Sequence, residues 1–314
     1  MFSSCDPFQR EHTTPGVTND IKLFKFKVLN HIPFKGFYTY CYSFGDLSKG
    51  VPTIILHGGP GGCVERYEPF EELALKGIPL IFYDQLGCGY SKVPKGNEHL
   101  WTFETYLEEL ENVIKHFKLK KFNIIGHSWG GMLALEWVTT RKHDGLNKLI
   151  LFSTLPSTKI WNDEHLKMIE SYPNDEKEAI LKDFNGEECD PKDLKKGLKR
   201  FYREHVSRKK DKKYVFKRKR FKRTNKEIYE KMWGKSELFG TGTLKDWNTI
   251  PNLKNIDVPT LVISGRFDES TPVINELLTR EIPNSKSVIL EKSHHVGYAE
   301  EPELTLEYIY KFIK

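Results

Sequence analysis

Asn123-Ile124-Ile125-Gly126-His127-Ser128-Trp129-Gly130-Gly131-Met132 reads as a short β-branched strand, a tight turn with a serine at its apex, and the opening of a helix. A strand-to-helix reversal this sharp forces the apical residue into a strained backbone, and glycines two residues before and two after it leave the room it needs. Gly126 and Gly130 hold those positions. The turn lifts the Ser128 hydroxyl off the sheet edge and sets the Trp129 amide at the positive end of a helix. A nucleophile and half of an oxyanion hole thus follow from one reversal. The helix-forming run Met132 to Trp137 supplies the context that a bare G-x-S-x-G lacks.

Upstream, Pro52 to His57 is a wholly apolar strand of the kind buried on both faces of a sheet, and it ends in Gly58-Gly59-Pro60-Gly61-Gly62. That loop lets backbone approach closely, and the Gly59 amide is the expected second oxyanion donor beside Trp129. His57, at the strand end, is expected to fix the loop by hydrogen bonding. Ile78 to Asp84 is a further buried strand, with Asp84 expected to cap the turn that follows. Ile21 to Val28 and Phe37 to Tyr42 read as a hairpin whose turn carries Asn30, Pro33 and Gly36. Thr102 to Phe117 has amphipathic helical spacing, with Thr102 and Thr105 as candidate caps. Glu68 to Leu75 also reads as helical.

Downstream, Leu146 to Phe152 is another strand, after which the alternation of strand and helix stops. From about Pro156 to Trp247 the chain is polar and helical in character, and the alternation resumes at Pro259 to Ser264. This pattern predicts an α/β core, residues 1–155 and 248–314, interrupted by a helical cap over the strand ends, residues 156–247. The returning strand ends in Gly265-Arg266-Phe267-Asp268-Glu269, and the strand Ser287 to Leu290 leads into Ser293-His294-His295. An acid and a histidine therefore lie just beyond strand ends on the same edge as Ser128, in the order Ser…Asp…His. Asp268 is the expected orienting acid.

The 314 residues suit one large domain with an insertion. No apolar run approaches the roughly 20 residues of a membrane helix, and Met1 to Pro7 has no basic region followed by an apolar one. Five scattered cysteines, Cys5, Cys41, Cys63, Cys88 and Cys189, suggest reduced thiols and a cytoplasmic setting rather than a disulfide framework. Cys63 and Cys88 are expected to fill space. The net charge of +6 is unevenly spread: between Arg208 and Lys226 twelve Lys/Arg face one acid, Asp211. With Tyr214, Phe216 and Phe221 interleaved, the run reads as a helix with a solvated basic face in preference to a nucleic-acid contact.

These motifs resemble the α/β-hydrolase superfamily and, within it, the proline iminopeptidase family, including its tricorn-interacting aminopeptidase type. The matching pieces are His57 to Gly62, Asp84 to Ser91, Gly126 to Gly131, Gly265 to Glu269 and Gly240 to Trp247, and the likeness runs from Lys22 to the C-terminus. The basic run departs from it. The resemblance implies a mostly parallel sheet flanked by helices, and a serine exopeptidase that removes an N-terminal residue, often proline, from short peptides, with no metal or organic cofactor. It selects His295 as the base, five residues before Glu300-Glu301-Pro302, and leaves His294 a structural neighbour. A substrate ammonium calls for carboxylates: Glu269, beside the acid, and Glu237, which matches the family's cap glutamate. Trp233 and Tyr202 could line a slot for a flat pyrrolidine ring, and the basic run is expected to face away from a pocket that takes a cation. An esterase or amidase using the same triad, or a non-catalytic binding protein on this scaffold, are the alternatives. Dehalogenase and epoxide-hydrolase chemistry need an aspartate where Ser128 stands.

Overall fold

The strand β5, Phe122–His127, runs through the middle of an eight-stranded sheet and delivers Ser128 at its C-terminal end. The computed structural model describes residues 27–207 and 223–314. The sheet order is β1-β2-β4-β3-β5-β6-β7-β8. The strands are β1 Lys27–Phe34, β2 Phe37–Phe44, β3 Thr53–Leu56, β4 Leu80–Tyr83, β6 Leu146–Phe152, β7 Thr260–Gly265 and β8 Ser285–Leu290. β1, β2 and β4 pair antiparallel, and every pairing from β4 to β8 is parallel. β3, β4 and β5 are buried along their whole length, as apolar runs covered on both faces must be.

The hairpin differs from its sequence reading. Asn30 and Pro33 belong to β1, and the reversal is the two-residue turn Lys35-Gly36, both with positive φ (46° and 82°), closed by the pair Phe34 and Phe37. Such a turn matches the twist of its flanking strands. Pro33 is tolerated because β1 is the edge of the sheet, where a missing amide breaks no inner ladder. The expected strand residues Ile21 to Phe26 lie outside the described part of the chain.

Helix α1, Phe103–His116, begins where Thr102 Oγ1 accepts the Thr105 amide at 3.2 Å, and buries Tyr106, Leu107, Leu110 and Val113. Helix α2, Trp129–Thr140, follows Ser128 and is apolar nearly all round, because its first two turns are enclosed by the sheet and its neighbours. Burying Trp129, Met132, Leu133, Leu135 and Trp137 stabilises this junction by about 1.5–3 kcal/mol per large side chain. The stretch expected as a helix at Glu68 to Leu75 is a 3₁₀ segment, Val64–Glu71, with Pro69 inside it, ending in one α-turn, Glu72–Leu75.

Between β6 and β7 the described chain forms α3 Thr158–Ile169, α4 Asn174–Asn185, α5 Pro191–Phe201, a π-helical turn Tyr202–Val206, and α6 Lys226–Met232. Ile169, Tyr172, Ile180, Phe201, Leu238 and Phe239 make a small core of their own there. Trp161, Ile228, Met232 and Trp233 instead join the main core. Helix α7, Pro272–Glu281, links β7 to β8, and α8, Pro302–Ile313, ends the chain. Most of the basic run, residues 208–222, lies outside the described residues.

Candidate active site

Ser128 has φ 54° and ψ −124°, a conformation that costs a side-chain-bearing residue of order 1–3 kcal/mol. Its surroundings hold it there. Its amide donates to Phe152 O at 2.9 Å, and its carbonyl accepts from the Gly131 amide (2.8 Å), the Met132 amide (3.2 Å) and Thr154 Oγ1 (2.8 Å). The flanking glycines have a second reason beyond backbone strain. A Cβ on Gly130 would lie 2.1 Å from Leu56 O, and one on Gly126 would lie 2.4 Å from Gly130 O, so α2 could not sit this close to β3 and β5. The Trp129 amide belongs to the first turn of α2, where amides have no intrahelical partner. The Trp129 indole donates to Gln85 Oε1 at 2.7 Å, which fixes the turn from its far side.

The ends of β7 and β8 bring the acid and the histidine together. His295 Nδ1 lies 2.8 Å from Asp268 Oδ1, and Asp268 is buried. The acid's other bonds come from the Ser270 amide (2.8 Å) to Oδ1, and from Ser153 Oγ (2.6 Å) and the Gly265 amide (3.2 Å) to Oδ2. A carboxylate held by four donors keeps its aim. Its bond to Nδ1 leaves Nε2 of His295 to face the cavity, and Glu269 Oε1 lies 3.4 Å from it.

Glu269 is fully buried, and neither carboxyl oxygen has a hydrogen-bond donor among the described residues. Burial first, then the neighbouring Glu237 charge, push its pKa well above the usual carboxyl range. Glu237 Oε2 accepts from Tyr229 Oη at 2.6 Å. The Glu237 charge, ahead of burial, also raises the Tyr202 phenol, which places both tyrosines around one centre of negative potential.

A cavity of about 650 Å³ joins these parts. Gly59, Ser128, His295, Tyr202, Tyr229 and Glu237 line it, together with Arg66 and Tyr67. Gly59, with φ 131°, is part of its wall, so the backbone of the glycine loop faces the same space as the serine. Trp233 is placed differently from its sequence reading. It is not among the residues lining the cavity; it is buried edge-to-face against Trp161 with ring centroids 5.6 Å apart, and its indole donates to Glu237 O at 3.2 Å. It therefore sets the position of Glu237 from behind. Residues 208–222 of the basic run lie outside the described residues; of its two described cations, Lys226 lines the cavity. Arg223 points elsewhere, pairing with Glu65 and stacking 4.1 Å over the Tyr90 ring.

His57 and Asp84 hold the loops, as expected. His57 Nε2 accepts the Gln85 amide at 3.0 Å, which leaves the Nδ1 proton for Gly58 O at 2.9 Å; burial lowers its pKa to about 4. Asp84 accepts the Val64 and Tyr90 amides, both at 2.8 Å. His294 bonds Glu300 Oε2 at 2.9 Å, stacks on Phe267 and is not among the residues lining the cavity. Cys88 is a buried thiol whose pKa burial pushes up, so it is inert filling.

The residues 51–302 match the model of the α/β hydrolase fold family. Proline iminopeptidase of Lactobacillus helveticus is 37% identical over 275 residues, covering 87% of this chain and 92% of the relative. That of Clostridioides difficile is 35% identical, covering 87% and 93%. The chain belongs to the proline iminopeptidase family. Among solved structures, the proline iminopeptidase of Mycobacterium smegmatis superposes with a TM-score of 0.80 at 27% identity, covering 91% of this chain and 97% of the other. The crystal structure of VinJ superposes with a TM-score of 0.82 at 31% identity, covering 91% and 98%. As in the family, the sheet is mostly parallel and flanked by helices. The names of the proline iminopeptidase relatives give no narrower type within the family.

Several supporting residues of this proline iminopeptidase fold have no local sequence signal. Tyr67 Oη accepts the Gly58 amide at 2.7 Å and lies 2.8 Å from His127 Nδ1. Ser153, at φ 48° just past β6, reaches Asp268. The carbonyl of His205, in the π-turn, accepts the amides of Glu269 (3.3 Å) and His295 (3.2 Å). Such a turn within a helix is often found at functional sites. Only the position of Ser153 at a strand end could have drawn notice.

Proposed function

We propose that the chain is a serine exopeptidase that releases the N-terminal residue, with proline preferred, from short peptides. The observation that carries this is the pair Glu237 and Glu269: Glu237 lines the cavity, and the fully buried Glu269 stands behind it, 3.4 Å from His295 Nε2. Two carboxyl groups set against each other raise the Glu269 pKa, and a substrate ammonium relieves that opposition by supplying opposite charge and donors where the first residue must sit. An ester hydrolase has no use for that arrangement. The names of the proline iminopeptidase relatives support the same substrate end.

In this mechanism Ser128 Oγ attacks the first carbonyl while His295 Nε2 takes its proton. Asp268 holds the imidazole in the needed tautomer and stabilises its cation. The amides of Gly59 and Trp129 receive the oxyanion. His295 returns the proton to the leaving amine, and a water brought in by the same base releases the N-terminal residue from the acyl-enzyme. Glu237 and Glu269 hold the ammonium, and Tyr202 and Tyr229 flank it. The segment 156–247 is the cap that supplies Tyr202, Tyr229 and Glu237, set on a core of residues 1–155 and 248–314. The narrower tricorn-interacting type and a cytoplasmic setting belong to this proposal; among the described residues, no helix is long and apolar enough to cross a membrane.

A panel of prolyl-, alanyl- and leucyl-arylamides beside acetyl esters tests the proposal. Prolyl-arylamide is expected to be the best substrate. Hydrolysis of esters without any turnover of free-amino substrates would overturn it.

A further inference from the structure

The cavity has opposite charges at its two ends. Inside are Glu237 and, behind it, the buried Glu269. Towards solvent its lining includes Lys199 at the end of α5, Arg203 in the π-turn and Lys226 at the start of α6, all exposed, while Arg66 stands on the wall by the glycine loop. Glu237 is the sole carboxylate among the described residues lining it.

The counter-charges near the mouth do not cancel this. Arg203 pairs with Glu204 at 2.8 Å, and Lys226 with Glu230 at 2.9 Å, and both acids lie outside the lining. Among the described residues, Lys199 has no carboxylate within ion-pair distance. Arg200 next to it is spent on Glu176 at 2.6 Å and Glu204 at 3.5 Å. A cation-rich mouth does nothing for an ammonium bound deep inside, and repels it on entry. It matches a ligand that brings a negative charge to the mouth once its positive end is seated.

We propose that Lys199, Arg203 and Lys226 bind the C-terminal carboxylate of the substrate, so that the favoured substrates are short free peptides whose two ends complement the two ends of the cavity. This rests on the exopeptidase reading and adds to it a preference for a free carboxylate at a set distance from the scissile bond. Each residue of peptide extends at most about 3.5 Å, so lengthening the substrate carries the carboxylate past the mouth and the advantage fades.

The test compares kcat/KM for Pro-Gly-Gly and for its C-terminal amide, in the wild type and in the Lys199→Gln, Arg203→Gln double variant. The wild type is expected to favour the free acid by up to about 5-fold, since exposed ion pairs are individually weak. At about 0.5 M NaCl, where screening acts within roughly 4 Å, that ratio should shrink. In the double variant it should approach one, with the thermal midpoint showing an intact fold. A wild-type ratio of one or below, or a ratio that the double substitution leaves as it was, overturns the proposal. Failure to release proline from either peptide overturns the exopeptidase reading instead, and this one with it.

Discussion

His127 Nε2 lies 2.9 Å from the backbone carbonyl of His295, 168 residues away in sequence. The Tyr67 hydroxyl already accepts the Gly58 amide, so its own proton goes to His127 Nδ1, and the His127 proton sits on Nε2 and is donated to His295 O. Burial keeps this ring neutral by lowering its pKa well below the usual value. A chain of hydrogen bonds thus runs from the glycine loop through Tyr67 and His127 to the residue that carries the proposed base.

Replacing His127 with Phe is expected to break that chain while filling much the same volume. It leaves the His295 carbonyl and the proton of the Tyr67 hydroxyl buried without a partner, at a cost of about 1–3 kcal/mol each. The thermal midpoint should drop, and kcat should fall more than 10-fold with KM less affected, because it is the aim of His295 that is lost. Steady-state kinetics together with thermal unfolding would check this; a variant with wild-type kcat would show that the network is only packing.

Asp268→Asn is expected to reduce kcat by about 10⁴-fold, as loss of the orienting acid does in other triads. Part of the effect comes from the network around it. The amide nitrogen of Asn would face donors already in place at Ser270, Gly265 or Ser153, so stability should fall as well. Equal activity in the two proteins would remove Asp268 from the triad.

Glu269→Gln and Glu237→Gln should each weaken binding of free-amino substrates. A hydrogen bond to a charged group is worth about 1.5–3 kcal/mol, so kcat/KM for prolyl-arylamide should fall roughly 10- to 150-fold. The ratio of prolyl-arylamide to acetyl-ester turnover is the readout, because an ester brings no ammonium. If both substrates decline in parallel, the pair does not recognise the amine.

Stability should fall as pH rises from about 6.5 to 8. Folding lowers the pKa of His57 and His165 to about 4 and that of His127 well below its usual value, so these three contribute stability that is present above pH 6.5 and is lost as pH falls below it. Glu109 acts oppositely. It is buried against Thr39 and the Leu86 amide, and burial raises its pKa to about 8, so its folded form holds a proton that the unfolded form has lost. Its contribution is present below about pH 4.5 and is lost as pH rises through 8. The thermal midpoint should therefore decline from pH 6.5 to 8, with Glu269 acting in the same direction, and Glu109→Gln should reduce the slope of that limb. An unchanged slope in the variant would contradict the assignment.

The legible parts of the site were those fixed by local sterics and by strand ends. The Gly126-to-Gly130 turn announces itself because only glycine fits against Leu56 and within the turn. Asp268 and His295 could be paired because a parallel sheet gathers the C-terminal ends of its strands on one edge. Tyr67, His127, Ser153 and the His205 carbonyl escaped because their bonds join residues far apart in the chain, and no period records such pairings. Trp233 was misplaced for a related reason: its aromatic character is readable, but whether a ring faces a cavity or packs behind its wall depends on neighbours such as Trp161. In the hairpin, Pro33 and Asn30 looked like turn residues, and the edge position that admits a proline to a strand became visible only with the sheet order.

The central claim is that Ser128 releases the first residue of a peptide through an acyl-enzyme. Release of free proline from Pro-Gly-Gly, followed by chromatography for the wild type and for Ser128→Ala, tests it most directly. The wild type should yield proline and Gly-Gly in equal amounts, and the variant, with an unaltered unfolding midpoint, should be slower by about 10⁴-fold or more. Proline release by Ser128→Ala at an undiminished rate would contradict the account.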